Sequence, residues 1–203
     1  MTRNAPTPPA TRAIVLASSS PYRRALMQRL GVPFTCAAPA VTEDLLAGES
    51  PVELVQRLAR SKAISLTDTY PGALIIGSDQ VAVLPDGKIL TKPGDHAAAR
   101  AQLQSCSGHA VSFQTSLCLL DAASTQMQAE VVKCEVFFRP LLDAEIERYL
   151  LAERPYDCAG AFKSERLGIA LLRDMRLPDP SALIGLPLIA LSEMLRRAGV
   201  PVP

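Results

Sequence analysis

Short apolar runs alternate along this chain with segments that begin with the sequence signals of helix N-termini. Residues 13–17 form a continuous apolar run typical of a buried strand. Ser20-Pro21 follows directly and supplies an N-cap residue and a first-turn proline. Ser50-Pro51 repeats this signal, and residues 73–84 are again predicted as a strand. Because strands and helices interleave without strict βαβ regularity, the sequence predicts an α/β or α+β fold around a mixed sheet.

The remaining elements follow from the same criteria. Helices are predicted at residues 20–30, 51–69, 95–105, 143–151 and 186–198. Strands are predicted at residues 32–38, 88–91, 109–121 and 127–139, the last two as a hairpin, and residues 162–172 are predicted to be extended. We expect residues 1–12 to be a disordered Pro/Thr-rich tail and residues 13–203 to form one domain, since no repeat or linker interrupts them.

The composition excludes several classes of function. Lys and Arg number 21 and Asp and Glu 20, a net charge of +1 that argues against bulk binding to nucleic acid or to an anionic membrane. The two histidines, His96 and His109, stand thirteen positions apart and so cannot form an HExxH helix, and two are too few for a His-rich metal site. The glycines build no dinucleotide-binding, P-loop or GxSxG signature. Carboxylates, lysines and arginines therefore have to carry the chemistry.

The cysteines and the apolar stretches bear on location. Five widely spaced cysteines without a CxxC pair predict reduced, buried thiols in a reducing compartment. The C-terminal apolar stretch at residues 183–191 is too short to span a bilayer. We therefore expect a cytoplasmic protein with neither membrane nor nucleic acid as a partner.

The segment Ser18-Ser-Ser-Pro-Tyr-Arg-Arg24 is a candidate anion site, because it leads from a predicted strand straight into a helix. Helix N-termini present unpaired N–H groups and the positive end of a dipole. Arg23 and Arg24 stand in the first turn, where cations oppose that dipole. Arginine binds phosphate in bidentate fashion, so a polyphosphate site is favoured over a capped helix with solvated arginines.

Asp79 is the most anomalous residue, since it interrupts the apolar strand predicted at residues 73–84. A buried carboxylate is costly unless it is paired, hydrogen-bonded or bound to a metal. Catalytic or metal-binding use is favoured over a structural Asp at a bulge beside Gly77. Lys62 falls inside the apolar stripe of the helix predicted at residues 51–69, where a functional lysine and one that snorkels past the core fit equally well.

Weaker signals come from three other places. Lys92 lies in a loop after the Asp79 hairpin. Lys163 and Glu165, two apart in a segment predicted to be extended, point to the same face, with a surface salt bridge as the alternative. Glu43 follows a predicted strand in a loop and is a candidate Mg²⁺ ligand or a solvated charge. Cys158 is assigned to the core.

Six short motifs in chain order resemble those of the Maf-like nucleoside triphosphate pyrophosphatases, most closely the branch that acts on 7-methyl-GTP. The similarity covers residues 13–198. The motifs are Leu16-Ala-Ser-Ser-Ser-Pro-Tyr-Arg-Arg24, Ala59-Arg-Ser-Lys62-Ala63, Ile76-Gly-Ser-Asp-Gln80, Thr91-Lys-Pro93, Cys158-Ala-Gly-Ala-Phe-Lys-Ser-Glu165 and Gly185-Leu-Pro187.

The resemblance implies a fold and an activity. The fold is an elongated α/β mixed sheet flanked by helices, similar to inosine triphosphatases, with a central cleft between two lobes. The activity is hydrolysis of the α–β phosphoanhydride of 7-methyl-GTP to the monophosphate and pyrophosphate, which removes modified nucleotides from the pool. A divalent metal, Mg²⁺ or Mn²⁺, and a homodimer are also implied. The alternatives are a dTTP or UTP pyrophosphatase and a nucleotide-binding regulator of septum formation.

The resemblance also implies roles for individual residues. Asp79 is expected to be the general base and, with Glu43, a metal ligand. Thr42 stands where the family usually has an Asp, which leaves Glu43 as the metal candidate in that loop. Tyr22, Gln80 and Glu165 are expected to select the substrate, and the phosphates are expected to be bound by Ser18, Arg23, Arg24, Lys62, Lys92 and Lys163.

Overall fold

The computed structural model describes residues 12–202. The strands in this range are β1 (Ile14–Ala17), β2 (Thr35–Ala37), β3 (Leu74–Val83), β4 (Ile89–Leu90), β5 (Ala110–Asp121), β6 (Met127–Phe138) and β7 (Leu172–Arg176). The helices are α1 (Pro21–Gln28), α2 (Pro51–Ile64), α3 (His96–Cys106), α4 (Asp143–Glu153), α5 (Pro180–Ile184) and α6 (Leu188–Arg197), with short 3-10 turns at Ala159–Ala161 and Leu167–Leu171. Apart from Arg12, the predicted N-terminal tail lies outside the described residues.

The seven strands form one mixed sheet in the order β2-β1-β3-β5-β6-β7, with β4 paired to the end of β3. β1 runs parallel to β2 and to β3, and the remaining pairs are antiparallel. β3 and β5 keep one register from Leu74 opposite Asp121 to Val83 opposite Ser112. The predicted mixed sheet is confirmed, and the alternative that placed Asp79 at a bulge is wrong.

Two hydrophobic cores lie along the same long strands, one toward each end. In the first, Ile76 of β3 packs with Leu191 of α6. In the second, Ala82 of β3 and Phe113 of β5 pack with residues of α3 and α4. α2 covers the opposite face of the sheet across both regions. The structure therefore has two lobes that share the middle of β3 and β5, as predicted.

Buried polar side chains separate the two cores at the centre of the sheet. They come from β3 and β5 and are Ser78, Asp79, Thr115 and Ser116. The Ser78 hydroxyl donates to the Gly185 carbonyl at 3.0 Å, and the Thr115 hydroxyl donates to the Ala182 carbonyl at 2.9 Å. These bonds satisfy carbonyls at the C-terminus of α5 and tie that short helix to the sheet.

The C-terminal third differs most from the sequence prediction. The extended segment predicted at residues 162–172 is wrong for most of its length: residues 164–166 form a turn, Leu167–Leu171 form a 3-10 segment, and β7 begins only at Leu172. Gly168 makes this compact path possible, because a Cβ there would lie 2.3 Å from the Lys163 carbonyl oxygen. α5 was not predicted, and it is separated from α6 by Gly185, whose φ of +122° favours glycine.

Several element ends also differ from the prediction. α1 and α2 end at Gln28 and Ile64, before residues 30 and 69, and β2 is confined to Thr35–Ala37. Among residues 12–202, no helix is both long and apolar enough to cross a membrane. A single domain over residues 13–203 stays a prediction.

α2 approaches β3 most closely at Gly77. A Cβ at this position would lie 2.0 Å from the Ala59 carbonyl oxygen and 3.0 Å from the Ala63 amide nitrogen. Real Cβ atoms do not approach backbone this closely, so only glycine permits the observed packing of the helix on the sheet.

Gly77→Ala is expected to destabilise the protein by about 2 kcal/mol, because it overpacks this contact and forces α2 away from the sheet. The melting temperature should fall by about 6 °C. Gly72→Ala is the matched control, since a Cβ there meets nothing within 4 Å. Thermal unfolding of both variants measures the difference, and equal melting temperatures would contradict the packing argument.

Candidate active site

A cleft of about 530 Å³ opens where the end of β1 and the start of α1 meet the middle of β3. Residues from both cores line it, with Ile184 packed against the first core and Phe162 and Leu183 in the second. Ten of the eleven residues predicted for the site are on its wall, namely Ser18, Tyr22, Arg23, Glu43, Lys62, Asp79, Gln80, Lys92, Lys163 and Glu165.

Asp79 and Lys62 form a buried ion pair in the cleft wall. The Lys62 Nζ lies 2.6 Å from the Asp79 Oδ1, and the two residues are only 4% and 6% exposed. Lys62 is one helical turn beyond Ala59, the residue that touches Gly77, so the close approach of α2 to β3 brings the ammonium to the carboxylate. Lys62 therefore pairs with the buried carboxylate, because burying that carboxylate without a partner would be costly.

Glu43 brings a second carboxylate to the same ammonium. Its Oε1 lies 2.5 Å from the Lys62 Nζ, and its side chain is 49% exposed. Burial raises the pKa of Glu43, but the bond to Lys62 and the charges of Lys62, Lys92 and Arg23 outweigh burial and hold the pKa below its ordinary value. The two carboxylates thus meet on a single cation.

The start of α1 supplies polar groups beside this pair. The buried Ser18 hydroxyl accepts a hydrogen bond from the Ser20 amide at 3.1 Å. Ser20 is the N-cap of α1 and accepts from the Arg23 amide, and Pro21 follows at the first position. The Arg23 Nε donates to the Gly185 carbonyl at 2.9 Å, which fixes the guanidinium at the cleft. Burial lowers the pKa of Arg23, while the charges of Asp79 and Glu43 partly offset this.

Arg24 is not brought into the cleft. It is exposed and absent from the cleft wall, because consecutive helical residues point about 100° apart and Arg23 takes the inward direction. Lys92 is also exposed, but it lies on the loop after β4 and lines the cleft.

Gln80 faces the side of the sheet opposite Asp79, because alternate strand residues point to opposite faces. Its Nε2 donates to the Thr115 hydroxyl at 2.8 Å and to the Ala182 and Leu183 carbonyls at 2.9 and 3.1 Å. Gln80 therefore holds the end of α5 with its amide group while the residue forms part of the cleft wall.

Tyr22, Lys163 and Glu165 line another part of the cleft. The Lys163 Nζ lies 5.5 Å from the centre of the Tyr22 ring and donates to the Glu153 carbonyl at 3.2 Å. Residues 164–166 form a turn. The prediction that Lys163 and Glu165 share a face of an extended segment is therefore wrong, although both reach the cleft.

Sequence reasoning missed Asp157 and assigned Cys158 to the core, whereas both line the cleft. The Tyr22 hydroxyl donates to the Asp157 Oδ1 at 3.3 Å, and the Cys158 thiol lies 3.5 Å from the same oxygen. Burial and the charge of Asp157 raise the pKa of Cys158 to about 12, so the thiol stays protonated. The only signal for Asp157 in the sequence was its position directly before the motif that begins at Cys158.

All five cysteines are free thiols, and Cys106, Cys118 and Cys134 are buried. Among residues 12–202, no group of three or more His, Cys, Asp or Glu side chains has an arrangement that could hold a metal ion.

Lys62→Met should destabilise the protein by about 3 kcal/mol, because it leaves the Asp79 carboxylate buried without its partner. Adding Asp79→Asn should recover part of that loss. Lys133→Met is the matched control, since its ion pair with Glu135 is at the surface, and it should cost less than about 1 kcal/mol. Urea unfolding of the wild type, the two single variants and the double variant tests this. An equal loss of unfolding free energy for Lys62→Met and Lys133→Met would contradict it.

Comparison with known proteins gives consistent matches over nearly the whole chain. The protein named 7-methyl-GTP pyrophosphatase from Pseudomonas syringae pv. tomato is 53% identical over 191 residues, which cover 94% of this chain and 99% of that protein. Proteins of the same name from Ralstonia nicotianae and Paraburkholderia xenovorans are 53% and 54% identical, and the matches cover 93% of this chain and 97% and 93% of theirs.

Among solved structures, the Ham1 protein of Staphylococcus aureus has a TM-score of 0.44 and 11% identity over 63% of this chain and 72% of its own. The family model described as Maf-like protein matches residues 13–198. With that match and relatives above 50% identity, this chain belongs to the Maf-like protein family.

Proposed function

We propose that this chain hydrolyses the α–β phosphoanhydride of 7-methyl-GTP, releasing the monophosphate and pyrophosphate and so removing a modified nucleotide from the pool. The observation that carries the proposal is the buried Asp79–Lys62 pair, which stands in a cleft beside the N-terminus of α1. The substrate is suggested by the names of the relatives. We expect a cytoplasmic homodimer.

The cations of the cleft suit a triphosphate, which carries about four negative charges. Arg23, Lys62, Lys92 and Lys163 line the same cleft and offset both the repulsion between phosphates and the charge that develops on the leaving pyrophosphate. The α1 N-terminus, with the Ser18 hydroxyl beside it, adds the positive end of the helix dipole. Arg24 is outside this group in the structure, and a phosphate-binding role for it would require its side chain to turn toward the substrate.

A divalent cation, Mg²⁺ or Mn²⁺, is part of the proposal, with Asp79 and Glu43 as its protein ligands. The donor set fits, because both carboxylates already contact one cationic group at 2.6 and 2.5 Å. Mg²⁺ in phosphate sites commonly takes only one or two carboxylates, with phosphate oxygens and water completing its shell. When bound, the metal supplies Lewis-acid polarisation of the phosphate oxygens.

Lys62 takes part in the proposed hydrolysis because it bonds to both carboxylates in the free protein. An arriving triphosphate competes for the ammonium, and Lys62 can turn its protons toward phosphate oxygens. Asp79 is then released from its partner and accepts the proton of the water that attacks the α phosphorus. Glu43 is the more exposed of the two carboxylates, so its side chain can reorient more freely when the charged substrate binds.

Asp79→Asn should reduce pyrophosphate release by about 10²- to 10⁴-fold, because the amide cannot accept the proton. Nucleotide should still bind, since the surrounding cations remain. A pyrophosphate assay with Mg²⁺ or Mn²⁺, combined with calorimetric binding, separates the two effects. Wild-type protein that binds triphosphates without ever releasing pyrophosphate would instead support the nucleotide-binding regulator.

Glu165→Gln should lower the preference for 7-methyl-GTP over dTTP and UTP by about tenfold. A carboxylate accepts charge-assisted hydrogen bonds from the guanine N1–H and exocyclic amine, and losing one such bond costs about 1.5–3 kcal/mol. The measurement is kcat/KM for each nucleotide. A wild-type protein that hydrolyses dTTP or UTP faster than 7-methyl-GTP would favour the alternative pyrophosphatase.

A further inference from the structure

Glu165 alone does not account for a preference for 7-methyl-GTP over GTP. The N1–H and the exocyclic amine that a carboxylate would bind are donors in both bases. The two nucleotides differ at the five-membered ring, where methylation at N7 adds a positive charge and a methyl group. If the proposed function holds, another part of the cleft has to respond to that charge.

Asp157 is a carboxylate on the cleft wall that the proposed chemistry does not use. It lies between α4 and the 3-10 turn Ala159–Ala161 and is exposed, so a ligand in the cleft can reach it. Within residues 12–202, the hydrogen bonds to this carboxylate come from Tyr22 and Cys158 and both end on Oδ1. The Oδ2 atom therefore keeps its lone pairs for a ligand.

Tyr22 is the aromatic neighbour of Asp157, and its ring already attracts a cation. The Lys163 Nζ lies 5.5 Å from the ring centre, within the range of a cation–π interaction. Burial, followed by the nearby Cys158 and Asp157, raises the pKa of Tyr22 well above its ordinary value. The phenol therefore keeps its proton and continues to donate to Asp157, and a donated bond to an anion makes the ring more electron-rich.

We propose that Asp157 is a specificity-determining residue which, together with the Tyr22 ring, recognises the positive charge of the 7-methylguanine base. The ring offers a face for the cationic base, and the carboxylate at its hydroxyl edge adds a negative charge at short range. A neutral guanine gains the stacking contact but not the charge interaction. The discrimination thus depends on charge and is weakened by salt.

Asp157→Asn tests this assignment, because it keeps the size of the side chain and an acceptor for Tyr22 while it removes the charge. We expect kcat/KM for 7-methyl-GTP to fall about three- to tenfold, with kcat/KM for GTP changed less than about twofold. Raising the ionic strength should lower the 7-methyl-GTP to GTP ratio of the wild type toward that of the variant. Asp157→Ser, a second neutral variant, should give the same change.

Asp68→Asn is the matched control, since it removes an exposed carboxylate beyond the end of α2 and away from the cleft wall. It should leave both activities and their ratio unchanged. If the wild type prefers 7-methyl-GTP and Asp157→Asn keeps that preference, or lowers both activities equally, the role of Asp157 is wrong and the proposed function stands. A wild type without any preference for 7-methyl-GTP over GTP would instead contradict the proposed substrate.

Discussion

Helix α2 lies against β3 with no room for a side chain at Gly77, where a Cβ would meet the Ala59 carbonyl at 2.0 Å. One turn along the helix, this approach carries Lys62 to Asp79. At this approach the Lys62 Nζ lies 2.6 Å from the Asp79 Oδ1, within hydrogen-bonding distance. The missing side chain at Gly77 thus allows a lysine to pair with a carboxylate that is buried at the junction of two hydrophobic cores.

The rest of the cleft is arranged around that junction. β3 and β5 pass from one hydrophobic core into the other at their buried polar residues. Hydrogen bonds from Ser78, Gln80 and Thr115 fix the end of α5 at the same place. The Arg23 Nε donates to the Gly185 carbonyl, so α1 and α5 together position a guanidinium at the cleft. The Arg23 guanidinium is therefore held by a backbone contact before substrate binds, which is how a site lowers the cost of organising charge.

The residues that could be predicted from the sequence are those whose chemistry conflicts with their local pattern. Asp79 in an apolar strand and Lys62 in an apolar helix stripe both proved buried, because periodicity fixes which face a residue takes. Arg24 and Arg23 are chemically identical, and only the rotation of α1 separates them. Asp157 gave no signal beyond its position before the motif at Cys158, since an exposed Asp is ordinary until the fold brings Tyr22 to it. The path of residues 162–172 depends on the contact of Gly168 with the Lys163 carbonyl, which is tertiary information.

Attack by water at the α phosphorus can be traced directly with oxygen-18 water. The protein, with Mg²⁺ or Mn²⁺ and 7-methyl-GTP, would be allowed to react in labelled water, and the products would be followed by phosphorus NMR and mass spectrometry. We predict that the label appears in the nucleoside monophosphate and that the pyrophosphate is unlabelled. Label in pyrophosphate, or release of inorganic phosphate with a nucleoside diphosphate, would contradict it.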